Sequence, residues 1–213
     1  MVNDVQLKGI FEDEFEYSHS LSHGDNNYTE DFYKTRVIVK RLSGNEDFVP
    51  IVVPESLLIG ELENPIKGKY VEVYGHLKTR NSMGEDGRFH LEIFVYVKWL
   101  QINENISTQD TTNIVVFEGR ICKRPVFRIT PFGRRITDFM VAIYNEKSSK
   151  SYYIPCIVWG DNAWFARDLQ VGDKVELSGR LQSREYFKKL SEGNVAGEYR
   201  TAYEISAGKI IKI

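Results

Sequence analysis

The feature that most constrains this chain of 213 residues is an internal repeat. The segment Gly68-Lys-Tyr-Val-Glu-Val-Tyr-Gly-His-Leu-Lys-Thr-Arg80 recurs as Gly172-Asp-Lys-Val-Glu-Leu-Ser-Gly-Arg-Leu-Gln-Ser-Arg184, with six of thirteen positions identical. Upstream, Val5-Gln-Leu-Lys-Gly-Ile matches Val115-Val-Phe-Glu-Gly-Arg-Ile, and Val49-Pro-Ile-Val-Val matches Ile154-Pro-Cys-Ile-Val. The offset drifts from 110 to 104 along the chain, as loops of unequal length require. Solenoid units are far shorter than this, so the repeat marks a duplicated domain. The polar stretch Asn103-Glu-Asn-Ile-Ser-Thr-Gln-Asp-Thr-Thr112 reads as a linker. The expected domains are residues 1–105 and 106–213.

Within each copy the apolar runs are short, β-branched and aromatic, alternate with period two, and are broken by Gly, Asn, Asp and Ser, which is the pattern of strands. One helix is expected in the second copy, over Asp161-Asn-Ala-Trp-Phe-Ala-Arg-Asp-Leu169, with Asp161 as its N-cap and Val171-Gly-Asp ending it. Its weaker counterpart is Glu55-Ser-Leu-Leu-Ile. The expected fold class is therefore all-β: two tandem OB-fold barrels of five strands in Greek-key order, each with a short helix between strands 3 and 4.

Charge separates the copies. Residues 1–105 carry 11 basic against 18 acidic side chains, a net of −7, while residues 106–213 carry 17 against 12, a net of +5. The second copy is thus the one suited to an anionic partner. Apolar runs fall far short of a membrane span, and Met1-Val-Asn-Asp lacks the start of a signal peptide, so membrane and secretory readings are not expected. The two cysteines, Cys122 and Cys156, cannot build a disulfide scaffold or a zinc pair and read as two buried thiols.

The second copy resembles the bacterial single-stranded DNA-binding protein family. The resemblance is carried by Gly119-Arg-Ile, Pro125, Arg128-Ile-Thr-Pro131, Gly133, Asp138-Phe-Met-Val-Ala142, Tyr153-Ile-Pro-Cys-Ile-Val-Trp-Gly160, Ala163 and Val171-Gly-Asp through Arg184-Glu-Tyr186. It implies an OB barrel that binds single-stranded DNA by stacking bases on aromatic rings, in assemblies of four barrels in the bacterial cytoplasm, at the nucleoid. Three stacking positions of the family fall on Tyr153, Trp159 and Tyr186. Members of the family typically continue into a flexible tail with an acidic tip that recruits replication and repair proteins. This sequence ends Ser206-Ala-Gly-Lys-Ile-Ile-Lys-Ile213, so such partners are expected to bind by another route, if at all.

The pleat bears on the same face independently, because residues two apart share a side of a strand. From Lys174, the set Val175, Leu177, Gly179 and Leu181 suits a core, leaving Arg180, Gln182, Arg184, Tyr186 and Lys188 as a basic outer stripe with an aromatic in it. Ile154, Cys156 and Val158 take the core side of the preceding strand, so Tyr153 and Trp159 point outward together. Cations that neutralise phosphates and rings that stack bases make a sequence-tolerant single-strand binder. Arg120, Arg128, Arg134 and Arg135, expected on or near turns, and Lys188 and Lys189, expected in a long loop from Glu185 to Tyr199, extend the track. Trp159 packed against the Trp164 helix, Tyr153 and Tyr186 as subunit contacts, and each arginine as a solvated surface charge are the competing readings. In the first copy Arg36, Lys40, Arg41, Lys78 and Arg80 are the available contributors, among many acids.

His19 and His23 have the spacing of helical metal ligands, but Gly24-Asp-Asn-Asn follows and no third ligand stands in a motif, so a mobile loop is expected. No phosphate-cradling loop, nucleophile elbow or zinc cluster appears, which disfavours an enzyme; no cofactor or metal is expected. The leading expectation is sequence-independent single-stranded DNA binding in replication, recombination or repair. A primosome-type assembly factor on the same barrel, and a nucleic-acid enzyme, are its rivals. Two barrels per chain, and four in the resembled assemblies, lead to an expected homodimer.

Overall fold

The computed structural model describes residues 1–23, 28–84, 87–103, 110–146, 148–189 and 197–213. Eleven strands carry nearly all of it: β1 (Asn3–Phe11), β2 (Glu16–His23), β3 (Tyr28–Lys40), β4 (Glu46–Pro54), β5 (Tyr70–Met83), β6 (Phe89–Asn103), β7 (Thr112–Ile129), β8 (Arg135–Asn145), β9 (Lys150–Trp159), β10 (Lys174–Lys189) and β11 (Gly197–Lys212). One helix, α1 (Asp161–Arg167), lies between β9 and β10. The expected domain boundary near residue 106 lies outside the described residues, between β6 and β7.

Both copies close into barrels with the same connectivity. In the first, β1 pairs β5, β5 pairs β6, β6 runs parallel to β4, β4 pairs β3, and β3 returns to β1 through Ile10 opposite Ile38. In the second, β7, β10, β11, β9 and β8 close the same circuit, with β11 parallel to β9. Each is a five-stranded OB barrel. The first adds β2 as an outer hairpin partner of β3. His19 and His23 therefore lie in a strand rather than in the expected loop, with the His19 ring stacked on Phe32 at 4.8 Å.

Period-two burial builds the cores. Val5, Leu7 and Phe11 of β1 point inward with Val71, Val73 and Leu77 of β5, and Phe117, Val175, Leu177 and Leu181 do the same in the second barrel. The repeated sequence has a common structural cause: register shifts fall at Tyr74/Gly75 and at Ser178/Gly179. A Cβ on Gly75 would lie 2.3 Å from the Tyr96 carbonyl oxygen, and one on Gly179 equally close to that of Ser206, so both bulges require glycine. Next to each bulge an asparagine supplies hydrogen bonds that the ladder lacks. Asn3 exchanges two with the backbone of Leu77 at 2.9 and 3.0 Å, and Asn113 two with that of Leu181 at 2.8 and 3.0 Å.

The barrels are joined edge to edge. β1 pairs antiparallel with β7 from Asn3 opposite Phe117 to Lys8 opposite Thr112, which makes one continuous sheet of eleven strands. Helix α1 starts one residue earlier than expected: Gly160, at φ 63°, is its N-cap, Asp161 is its first helical residue, and it ends at Arg167. The first-barrel counterpart is a single 3-10 turn, Glu55–Leu57. Cys156 is buried, as expected, and burial raises its thiol pKa, whereas Cys122 is only half-buried.

Candidate nucleic-acid interface

Strand β9 presents Tyr153 and Trp159 on its outer side, 46% and 40% exposed. Trp159 keeps 40% of its surface exposed, while the helix's own Trp164 stacks on Phe127 at 4.8 Å, with the Arg167 guanidinium 4.2 Å from its ring centre. Trp159 instead lines a groove of about 330 Å³ together with Arg41, Arg134, Arg180, Gln182, Ser183 and Arg184. Tyr186, 37% exposed, lies in the neighbouring cleft of about 830 Å³ between the barrels, with Met140 and Pro155 of the second barrel facing Phe94 and Val52 of the first. Arg184 links the two, since it lines the Trp159 groove and holds its guanidinium 5.9 Å from the Tyr186 ring centre. Tyr153 is at the far end of β9, six residues and roughly 20 Å of strand from Trp159.

The groove is assembled from both barrels around Asp47, a carboxylate only 1% exposed. Arg41 Nε donates to Asp47 Oδ2 at 2.8 Å and Arg41 Nη2 to the other oxygen, while the Ser183 amide donates to Oδ1 at 3.1 Å. Arg180 Nε stands 3.6 Å from the same carboxylate without a hydrogen-bond partner. Burial, then the neighbouring Arg41 charge, pull the Arg180 guanidinium below its ordinary pKa, whereas the bonds to Asp47 hold that of Arg41 up. The Phe48 amide donates to Ser183 Oγ at 3.0 Å, so the first residues of β4 are fastened to β10. Sequence reasoning missed Asp47 because an acid in an acidic copy reads as a surface charge; only the docking of the second barrel buries it.

The other expected cations have separate fates. Arg134 is in the β7–β8 turn, where its backbone exchanges bonds with Thr130, and its side chain reaches the Trp159 groove. Arg135 opens β8, 3.5 Å from Asp161 and 5.8 Å from the Trp164 ring. Arg120 is within β7, and Arg128 is one residue before its end, beside the β7–β8 turn. Arg120 donates to the Gly172 carbonyl at 2.9 Å, beside the start of β10, and Arg128 is held by Asp138 at 2.7 Å. Arg184 is 3.6 Å from Glu204. Lys188 and Lys189 belong to β10, not to a loop that begins at Glu185, because the β10–β11 hairpin pairs as far as Lys189 opposite Gly197; their side chains lie outside the described residues. Gln182 departs from the solvent stripe: it is buried, accepts from Arg180 at 3.0 Å and donates to Glu204 at 2.8 Å.

In the first barrel the corresponding cations are largely committed. Arg36 binds Glu12 and Asp13, and Arg80 binds Glu92 at 2.6 Å. The carbonyl of Lys40 accepts from Thr111 at 3.0 Å. Lys78 differs, with its Nζ 3.3 Å from the Tyr96 ring centre.

Residues 112–212 match the model of the family described as "Single-strand binding protein family". Curated relatives include the single-stranded DNA-binding protein of Clostridium tetani, 35% identical over 83 residues, which are 36% of this chain and 57% of that one. Single-stranded DNA-binding protein A of Bacillus subtilis is 34% identical over 80 residues, 35% of this chain and 46% of the relative. The chain spans about half the length of the curated relatives it matches. Among solved structures, the wild-type single-stranded DNA binding protein from Thermus aquaticus superposes over all of this chain and 93% of its own, with a TM-score of 0.71 at 17% identity. A deletion mutant of the same protein gives 0.72, also at 17%. That likeness shows a shared fold across both barrels. Over residues 112–212 the second barrel is thus similar to the single-strand binding protein family, and the whole chain shares the two-barrel fold of the Thermus aquaticus protein.

Proposed function

We propose that this chain binds single-stranded DNA without reading its sequence, and that it does so in replication, recombination or repair. The observation that carries the reading is Trp159, exposed in a groove that four arginines line. Flat rings accept any base, and guanidinium groups neutralise the phosphates between stacked bases. Tyr186 and Tyr153 extend the stacking surface along β10 and β9, with Arg184 joining Tyr186 to Trp159. Arg120 and Arg128 are outlying cations on the same barrel, and Lys188 and Lys189, the last residues of β10, complete the proposed track. The names of the curated relatives support the substrate. Competition experiments test it: oligo(dT) and mixed-sequence single strands displace a labelled single strand about equally, and duplex DNA of the same length does so poorly. Equal competition by duplex refutes the stacking mechanism.

A homodimer, which brings four barrels together, is supported by a row across the joined sheet. Trp99, Tyr74, Gln6 and Ile114 stand opposite one another on four successive strands. The Tyr74 and Trp99 rings are 5.4 Å apart, and Trp99, Tyr74 and Ile114 are each more than two-fifths exposed. An aromatic row of this kind on an otherwise polar sheet suits a second copy of the same face.

A further inference from the structure

Lysines of both barrels are found where β5 meets β9. Lys78 of β5 holds its Nζ 3.3 Å from the Tyr96 ring centre, and Lys98 of β6 holds its own 4.9 Å from that same ring. Lys150, at the start of β9 in the second barrel, acts electrostatically on Lys78. Among the described residues no carboxylate forms an ion pair with any of the three. Tyr96 packs against the buried Phe32, Val52 and Phe94, and Glu30 and Tyr152 act on it electrostatically. Every other first-barrel arginine described above is bound to an acid, so this group stands out in a half of the chain whose net charge is −7.

Position supplies the ligand. Thr79, next to Lys78, accepts the Tyr153 amide proton on its Oγ1 at 3.1 Å, so β5 touches β9 beside an exposed ring. Lys150 is three residues before Tyr153 on the same strand, roughly 10 Å away. Lys150 is on the opposite side of the pleat from Tyr153 but opens β9, so a strand whose base stacks on Tyr153 reaches Lys150 and Lys78 by passing over the end of the β8–β9 hairpin. We propose that Lys78 and Lys98 around Tyr96, together with Lys150 on the adjoining β9, form a phosphate-binding site shared by the two barrels, which carries single-stranded DNA from Tyr153 onto the first barrel. The site rests on the single-stranded DNA reading above. It gives the acidic barrel a direct part in binding, through ammonium groups acting as point charges on phosphate. Like charges gathered without a counter-ion repel one another, and a phosphate relieves that repulsion.

The test uses the full chain, an oligo(dT) long enough to cross both barrels, and Trp fluorescence as the readout. Each phosphate contact on a single strand contributes about 0.7 to the slope of log K against log salt, so loss of two contacts in Lys78→Gln/Lys98→Gln flattens the slope by about 1.4. Between 50 and 200 mM salt the variant then loses about sevenfold less affinity than the wild type, while saturating fluorescence quenching is retained. The variant Lys78→Arg/Lys98→Arg restores the slope. A variant slope equal to that of a binding wild type overturns this site alone, and a wild type that fails to bind the oligomer overturns it together with the proposed function.

Discussion

Replacing Asp47 by alanine tests whether the two barrels act as one unit. The substitution removes a carboxylate that is 1% exposed and that accepts from Arg41 and from the Ser183 amide while facing Arg180. Removing one partner of a buried ion pair costs about 3–5 kcal/mol, because the other charge stays uncompensated. Here the Arg41 and Arg180 side chains keep 23% and 39% of their exposure, so water takes up part of that cost. A loss of about 2–3 kcal/mol remains. For a chain of this size each kcal/mol moves Tm by about 2–4 °C, which gives a fall of about 4–12 °C. Circular dichroism melting in one buffer measures it, with Asp47→Asn expected in between because the amide oxygen still accepts from Ser183. A fall smaller than about 2 °C for Asp47→Ala would refute the argument that this carboxylate fastens β4 to β10.

Four further outcomes follow from the same geometry. Trp159→Ala weakens oligo(dT) binding by about 1–3 kcal/mol, the worth of one stacked base, and leaves Tm nearly unchanged; unfolding without a separate binding defect means the ring is a core element. Gly179→Ala forces a Cβ against the Ser206 carbonyl oxygen and destabilises by about 1–3 kcal/mol or more, read from denaturant midpoints; a neutral effect contradicts the bulge argument. Burial first, then Lys98 and Lys150, lower the Lys78 pKa to about 8 from its ordinary 10.5. The unfolded chain then holds a proton that the folded one has lost between those values, so this group's contribution to stability rises with pH across that window. Lys78→Gln is accordingly more stable than the wild type at pH 7, and the gap closes towards pH 10; a gap independent of pH refutes the assignment. Light scattering near 24.7 kDa shows a monomer and refutes the dimer, while about twice that mass supports it.

The barrel strands were legible because burial on one side of a pleat imposes period two, and Val5, Leu7, Val175 and Leu177 obey it. The repeat was legible because the same bulge needs glycine at Gly75 and Gly179. What escaped depends on contacts distant in sequence. β2 read as a loop because its polar residues are satisfied by pairing with β3 and by the His19 ring on Phe32, neither of which leaves a periodic apolar signal. Asn3 and Asn113 carry no local sequence signal, because their bonds to Leu77 and Leu181 reach across more than sixty residues. Gln182 followed the outward phase of β10 yet is buried, because the Asp47 and Glu204 networks close over it. The exposed phase of Tyr153, Trp159 and Tyr186 followed from the pleat alone; the share of Arg41 in the Trp159 groove did not, since it comes from the other barrel.

Intrinsic fluorescence tests the central claim most directly, because Trp159 is the ring on which a base is held to stack. Titration of the full chain with poly(dT) at two salt concentrations is expected to quench the Trp signal to saturation, with affinity falling at the higher salt as counterions are released. Fluorescence that stays unchanged, with no shift of labelled poly(dT) on a gel at low salt, contradicts the account.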